Sequence, residues 1–140
     1  MADSEEAISL VLFSGTEDRL QAAAVLTAGA AAMGRPVHIF LQYWALNAFR
    51  RERIDGPLPL APEAGAEGKE AFDAMHANGQ QAWQQTLRMA KELGEVDIQA
   101  CSLSMDLLHL EQDQLDPLVD GIEGVAAFYL NAGQGQMLFI

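Results

Sequence analysis

The chain has 140 residues, half of them apolar, with 8 Lys and Arg against 20 Asp and Glu for a formal net charge of −12. One domain of this length and apolar content can bury a sizeable core, which excludes a disordered acidic tail. The sign of the charge opposes a nucleic-acid interface and an anionic membrane surface, and one cysteine excludes an internal disulfide, a Cys-rich zinc site and an iron–sulfur cluster.

The opening Met1-Ala2-Asp3-Ser4-Glu5-Glu6 is acidic, unlike the positive start of a signal peptide. The longest mostly apolar run, residues 22–33, is broken by Thr27 and Gly29 and falls short of the ~20 residues that span a bilayer. A soluble cytoplasmic protein with a reduced thiol is expected.

Residues 8–13 are a short apolar run of strand formers that stops at Ser14-Gly15. A helix should follow, with Thr16 as its N-cap and Glu17 and Asp18 complementing its positive end. It should run to Met33, with Gly34 and Pro36 as stop signals. Residues 37–41 read as a second strand, and 42–51 as a loop and a short helix. Residues 54–69 hold Gly56, Pro57, Pro59, Pro62, Gly65 and Gly68, which argues against regular structure and suits a lid or docking loop.

Residues 70–93 read as one long helix whose buried face would carry Phe72, Met75, Gly79, Trp83, Thr86, Leu87, Ala90 and Leu93. Gly79 weakens its middle and Gly94 stops it. Residues 96–100 form a third strand closed by Cys101, and 102–110 look helical. Leu118-Val119 suits a brief strand or a turn. Residues 125–132 read as a short helix stopped by Gly133. The apolar 137–140 should be a final strand, inside the sheet or at a subunit contact. Strands and helices alternate, and the strands are apolar on both faces. That pattern predicts a single α/β domain over 1–140: a three-layer, Rossmann-like α/β/α sandwich around a mostly parallel sheet of about five strands.

In such a sheet, ligands bind beyond the carboxyl ends of the strands. Three segments belong there: Ser14-Gly15-Thr16, then Gln42-Tyr43-Trp44 with Asn47, and Cys101-Ser102. Cys101 leads into a helix, whose N-terminal N–H groups would favour a thiolate. Ser102 and Ser104 could donate to its sulfur. Asp106 opposes that charge, and Arg50, Arg51 or Arg53 would have to arrive from elsewhere in the fold. A lone cysteine after an apolar strand is most often a buried small hydrophobe. His38, His76 and His109 are scattered without ligand spacing, so no metal site is expected. His109, eight residues past Cys101, is too distant along a helix for a Cys–His pair. Ser14-Gly15-Thr16 has too few glycines to cradle a phosphate.

Tyr43-Trp44-Ala45-Leu46-Asn47-Ala48-Phe49-Arg50 resembles the aromatic Phe-Trp-Gly-Leu stretch of the DsrE/DsrF-like family of small sulfur-transfer proteins. Cys101-Ser102-Leu103-Ser104-Met105-Asp106 resembles that family's Cys-x-Met-Ser-Met-Asp segment. Gly124-Val125-Ala126-Ala127-Phe128 and Leu138-Phe139-Ile140 resemble its last helix and strand. The resemblance spans nearly the whole chain in order. Tyr43 and Ala45 replace the usual Phe and Gly, Leu103 replaces a Met, and His109 stands where a Gly is common. The resemblance implies a DsrE-like homo-oligomer, trimer or larger. It implies sulfane sulfur held as a persulfide on Cys101, with Ser102, Ser104, Met105 and Asp106 in support and Trp44 and Asn47 as further candidates. The partner implied is a TusA-like or other small sulfur carrier, in sulfur trafficking or sulfur oxidation, with no metal and no cofactor. The competing expectations are a non-catalytic oligomeric assembly module with a structural cysteine, and a small-molecule or nucleotide-binding α/β domain.

Overall fold

The computed structural model describes residues 7–132 and 134–140. Its strands are β1 (Ile8–Leu12), β2 (Val37–Leu41), β3 (Val96–Cys101), β4 (Gly121–Glu123) and β5 (Gln136–Phe139). They form one sheet in the order β4-β3-β2-β1-β5, and every pairing is parallel. The helices are α1 (Glu17–Ala32), α2 (Tyr43–Ala48), α3 (Gly65–Ala77), α4 (Trp83–Leu93), α5 (Ser102–Leu107) and α6 (Val125–Ala132). The central strand β2, Val-His-Ile-Phe-Leu, is buried along its whole length, as expected of a parallel strand covered on both faces.

Alternation along the strands sends two different sets of side chains to the two faces. Leu10, Leu12, Ile39, Leu41, Ile98 and Ala100 pack with Leu20, Ala23 and Ala24 of α1 and Trp83 and Leu87 of α4 in one continuous core. Full burial of each large aliphatic there contributes about 2 kcal/mol. Val11, Phe40 and Cys101 face the other way, where they meet Phe128 and Ala132 of α6. The short helices α2 and α5 continue from β2 and β3 at the carboxyl rim.

The structure departs from the sequence reading at four places. The long helix over 70–93 is two helices: α3 ends at Ala77, Gly79 takes φ +70°, and α4 begins at Trp83. Trp83, Thr86, Leu87 and Ala90 are buried, but Phe72 and Met75 are half-buried, Gly79 and Leu93 are exposed, and α3 buries no residue. Residues 54–69 are not wholly irregular. Pro62–Ala64 makes a 3-10 turn and α3 starts at Gly65. Pro at a first helical position is pre-organised for the turn, and three contacts to α1 tie the segment down: the Glu17 N–H donates to the Pro59 carbonyl at 2.8 Å, the Asp18 carboxylate accepts the Ala61 N–H at 3.0 Å, and Arg19 pairs with Glu63 at 2.8 Å.

The helix after Cys101 stops at Leu107, because His109 adopts φ +54°, a left-handed conformation that glycine tolerates best. Of the two forms expected for Leu118 and Val119 the structure shows the turn, closed by the Val119 N–H on the Asp116 carbonyl at 3.0 Å, with both side chains in the core. The strand begins later, where Asp120 N–H donates to the Ile98 carbonyl at 2.7 Å and the Asp120 carboxylate accepts the Ile98 N–H at 2.8 Å. Finally, the terminal strand is not inside the sheet. β5 is an edge strand beside β1, exposed at all four residues. Gly133, expected to end the last helix, lies outside the described residues, as do Met1 to Glu6.

Candidate functional site

The parallel sheet brings the three predicted segments to one rim. Gln42 N–H donates to the Leu12 carbonyl at 2.9 Å, Ala45 N–H to the Phe13 carbonyl at 3.0 Å, and Tyr43 N–H to Ser104 Oγ at 3.0 Å. A Cβ built on Gly15 would lie 2.4 Å from the Trp44 carbonyl oxygen, so only glycine permits this approach of the β1–α1 turn to α2. Ser14 Oγ and Thr16 Oγ1 lie 3.0 Å apart and satisfy one another locally. Trp44 is exposed, and half-buried Asn47 accepts a long hydrogen bond from Arg50 at 3.4 Å.

Cys101 ends β3 and is only 1% exposed. It sits on the α6 side of the sheet among Phe40, Phe128, Ala132 and Val11. The Phe128 ring stacks on Phe40 with centroids 4.6 Å apart. Cys101 is the N-cap of α5, yet its side chain makes no capping hydrogen bond. The expectation of an open thiolate held by the amides of the following helix is therefore corrected: in this conformation the thiol is enclosed, because the β3 register turns it beneath an aromatic pair.

The neighbouring motif residues have distinct places. Ser104 is fully buried and ties α5 to the start of α2 through the Tyr43 N–H. Met105 lies in the main core, on the opposite side of the sheet from the sulfur cluster. Ser102 is half-buried and faces Gly124, and Asp106 is exposed. The arginines are engaged elsewhere: Arg50 with Glu52 and Asn47, and Arg51 with the Leu115 carbonyl, while Arg53 is exposed. Above Phe40 and Phe128 opens a cleft of about 370 Å³, lined also by Val11, Tyr129, Met137 and Phe139.

On the same face lies a cluster that sequence reading missed. His38 of β2 is 9% exposed. Its Nδ1 is 2.9 Å from Asp97 Oδ2 of β3 and its Nε2 is 2.7 Å from Glu123 Oε1 of β4. Its ring stacks on Phe128 with centroids 5.4 Å apart. Asn131 of α6 donates to the other Glu123 oxygen at 2.9 Å. Burial works against a charged imidazole, but the hydrogen bonds to Asp97 and Glu123 outweigh it and raise the His38 pKa above its ordinary value. The His38 hydrogen bond holds the Asp97 carboxyl below the usual carboxylate range against partial burial, helped by Gln99 and Lys91. The available signal was one polar residue inside a fully apolar strand, with an aspartate on the next strand in register with it.

A second cleft, of about 500 Å³, lies between the 57–62 segment and α3, with Glu17, Phe72 and His76 in its wall. Among the described residues, no group of three or more His, Cys, Asp or Glu could hold a metal ion. Among them, too, no helix is long and apolar enough to cross a membrane.

A five-stranded parallel sheet between helices, with its cysteine at the carboxyl end of the third strand, defines a Rossmann-like α/β domain. The DsrE/DsrF/DrsH-like family matches residues 4–58 and 57–140, and the chain belongs to it. YrkE of Bacillus subtilis (strain 168), described as an uncharacterized protein, is 31% identical over 162 residues covering the whole of both chains. The structure of MTH1491 from Methanobacterium thermoautotrophicum, a protein of unknown function, shares the fold with a TM-score of 0.56 at 13% identity, over 95% of this chain and 99% of that one.

Proposed function

We propose that the protein is a sulfur carrier or sulfurtransferase that holds sulfane sulfur as a persulfide on Cys101 and exchanges it with a partner thiol protein. The observation that carries this reading is family membership joined to the position of Cys101: it ends a central strand at the ligand-binding rim, one aromatic layer beneath an open cleft. The transfer is redox-neutral. The Cys101 thiolate attacks the outer sulfur of a donor persulfide, the donor's S–S bond breaks, the donor leaves as a thiolate, and Cys101 keeps the new S–S bond. Delivery is the same step in reverse, towards the acceptor thiol. It needs neither metal nor cofactor, but it does need Cys101 to become reachable. Ser14, Gly15, Thr16, Trp44 and Asn47 shape the rim.

The setting proposed is cytoplasmic, in sulfur trafficking or sulfur oxidation. A net charge of −12 favours a basic face on the partner, a TusA-like or other small carrier. A homo-oligomer, trimer or larger, would cover the apolar side chains that α6 and β5 expose, of which Leu130 is 83%, Phe139 69% and Tyr129 62% exposed. Incubation with polysulfide followed by intact mass measurement tests the chemistry. A gain of whole sulfur atoms that disappears in Cys101→Ser is expected; no gain, or an equal gain in the variant, refutes it.

The near-complete burial of Cys101 favours a second reading, a non-catalytic oligomeric assembly module with a structural cysteine. Under that reading the thiol reacts with a thiol reagent only after global unfolding.

A further inference from the structure

The helix that roofs Cys101 has few anchors. Of its eight residues only Phe128 and Ala132 are buried, and glycine stands at 124 and 135 near its two ends. Phe128 rests on both Phe40 and His38. The one side-chain hydrogen bond from α6 to the sheet among the described residues is Asn131 to Glu123, and Glu123 is itself bonded to His38. Glu123 is also the register partner of Cys101. A single chain of contacts thus links His38 to the roof over the sulfur.

We propose that Asp97, His38, Glu123 and Asn131 form a proton-dependent latch that keeps α6 closed over Cys101, and that releasing it opens the path between Cys101 and the apolar cleft. This rests on the persulfide reading of Cys101 for its purpose, though not for its physics. With His38 protonated, both ring nitrogens donate, one to each carboxylate. Loss of the proton to solvent leaves one donor for two carboxylates. One of the two contacts then sets a carboxylate oxygen against a ring nitrogen that no longer donates, and water entering beneath α6 relieves it.

The groups around His38 are consistent with one proton controlling the latch. From β1 it faces Ser9, a neutral hydroxyl; from β3, Asp97, backed by Gln99 and Lys91; from β4, Glu123; and from α6, Asn131 and Phe128. Glu95 joins His38, Asp97 and Asn131 around an open cleft through which water and protons reach the cluster. No Lys or Arg contacts His38 in place of the two carboxylates among the described residues.

Two readouts on the intact protein test the latch: amide hydrogen-exchange protection of α6, and the alkylation rate of Cys101 relative to the urea-unfolded protein at the same pH. Both protections should be greatest near about pH 6 and should fall about tenfold by about pH 9. Asn131→Ala, an exposed change that spares the core, and Glu123→Gln should both show the fast rates already at the lower pH. Flat protection across this range overturns the latch, and so do native rates in both variants. Loosening of α6 that leaves Cys101 unreactive overturns its role as a gate. If Cys101 alkylates readily in the opened variants but takes up no sulfur from polysulfide, the latch stands and the persulfide reading fails.

Discussion

On one face of the sheet, Leu10, Leu12, Ile39, Leu41 and Ile98 meet two helices, α1 and α4, in a large apolar core that also takes in Trp83 and Phe49. On the other face the sheet presents His38, Asp97, Glu123, Phe40 and Cys101 to one eight-residue helix, α6. The first face has the apolar area to hold the domain together. The second has little area, a ring stack and a charged cluster, so its cover depends on hydrogen bonds and protonation. The proposed persulfide chemistry and the main stabilising core would then lie on opposite sides of the same strands, and a change on the second side would open the site without melting the first.

Substitutions can break that comparison. Leu87→Ala, on the α4 face, should lower the unfolding free energy by about 3 kcal/mol with an unchanged relative protection of Cys101. Phe128→Ala removes a larger buried side chain, yet should lower it by only about 1–2 kcal/mol, because α6 opens before the remainder unfolds, while Cys101 alkylation accelerates. Urea denaturation with parallel alkylation checks both. Equal losses, or an unreactive Cys101 in Phe128→Ala, would show that the two faces form one cooperative unit.

Titration sharpens the same contrast. A His38 pKa raised by folding contributes stability that is fully present below the ordinary value of 6.5 and is lost as the pH rises through the raised value. An Asp97 pKa lowered by folding contributes stability present above 3.8 and lost as the pH falls through the lowered value. The melting temperature should therefore plateau in mildly acidic solution and decline on either side. His38→Gln should flatten the alkaline arm, as followed by circular dichroism. The smallest effect is expected at His109, whose φ of +54° is strained for a side chain. His109→Gly should raise stability by about 0.5–1 kcal/mol without altering Cys101 reactivity.

The local signals were strong where one element type satisfied every residue. The strand over 37–41 and the helix over 125–132 are legible from runs rich in apolar residues, and the strand over 96–101 from the β-formers Val96 and Ile98 after the Gly94 stop. The split near Gly79 was less legible, because Phe72 and Met75 keep helical spacing with Trp83 and Leu87 although the chain turns between them. The strand over 121–123 carries no local signal. It forms because Asp120 bonds the backbone of Ile98 at both of its polar groups. His38, Asp97 and Glu123 looked like unrelated polar residues, since a strand-to-strand cluster leaves no spacing pattern along the chain.

From composition, periodicity and the Cys101 and Trp44 segments alone came the α/β class, the parallel sheet, the family and the rim on which three loops converge. The class, the sheet and the rim follow from short-range preferences and from the two-sided burial of apolar strands, which act within a few residues, whereas the family came from the resemblance of the Cys101 and Trp44 segments. Packing settled which side of the sheet receives Cys101, what roofs it, that β5 lies at an edge, and that an imidazole bridges two carboxylates. These depend on contacts such as His38 to Glu123, 85 residues apart. Such contacts arise only when strand order and register bring distant segments within hydrogen-bonding distance.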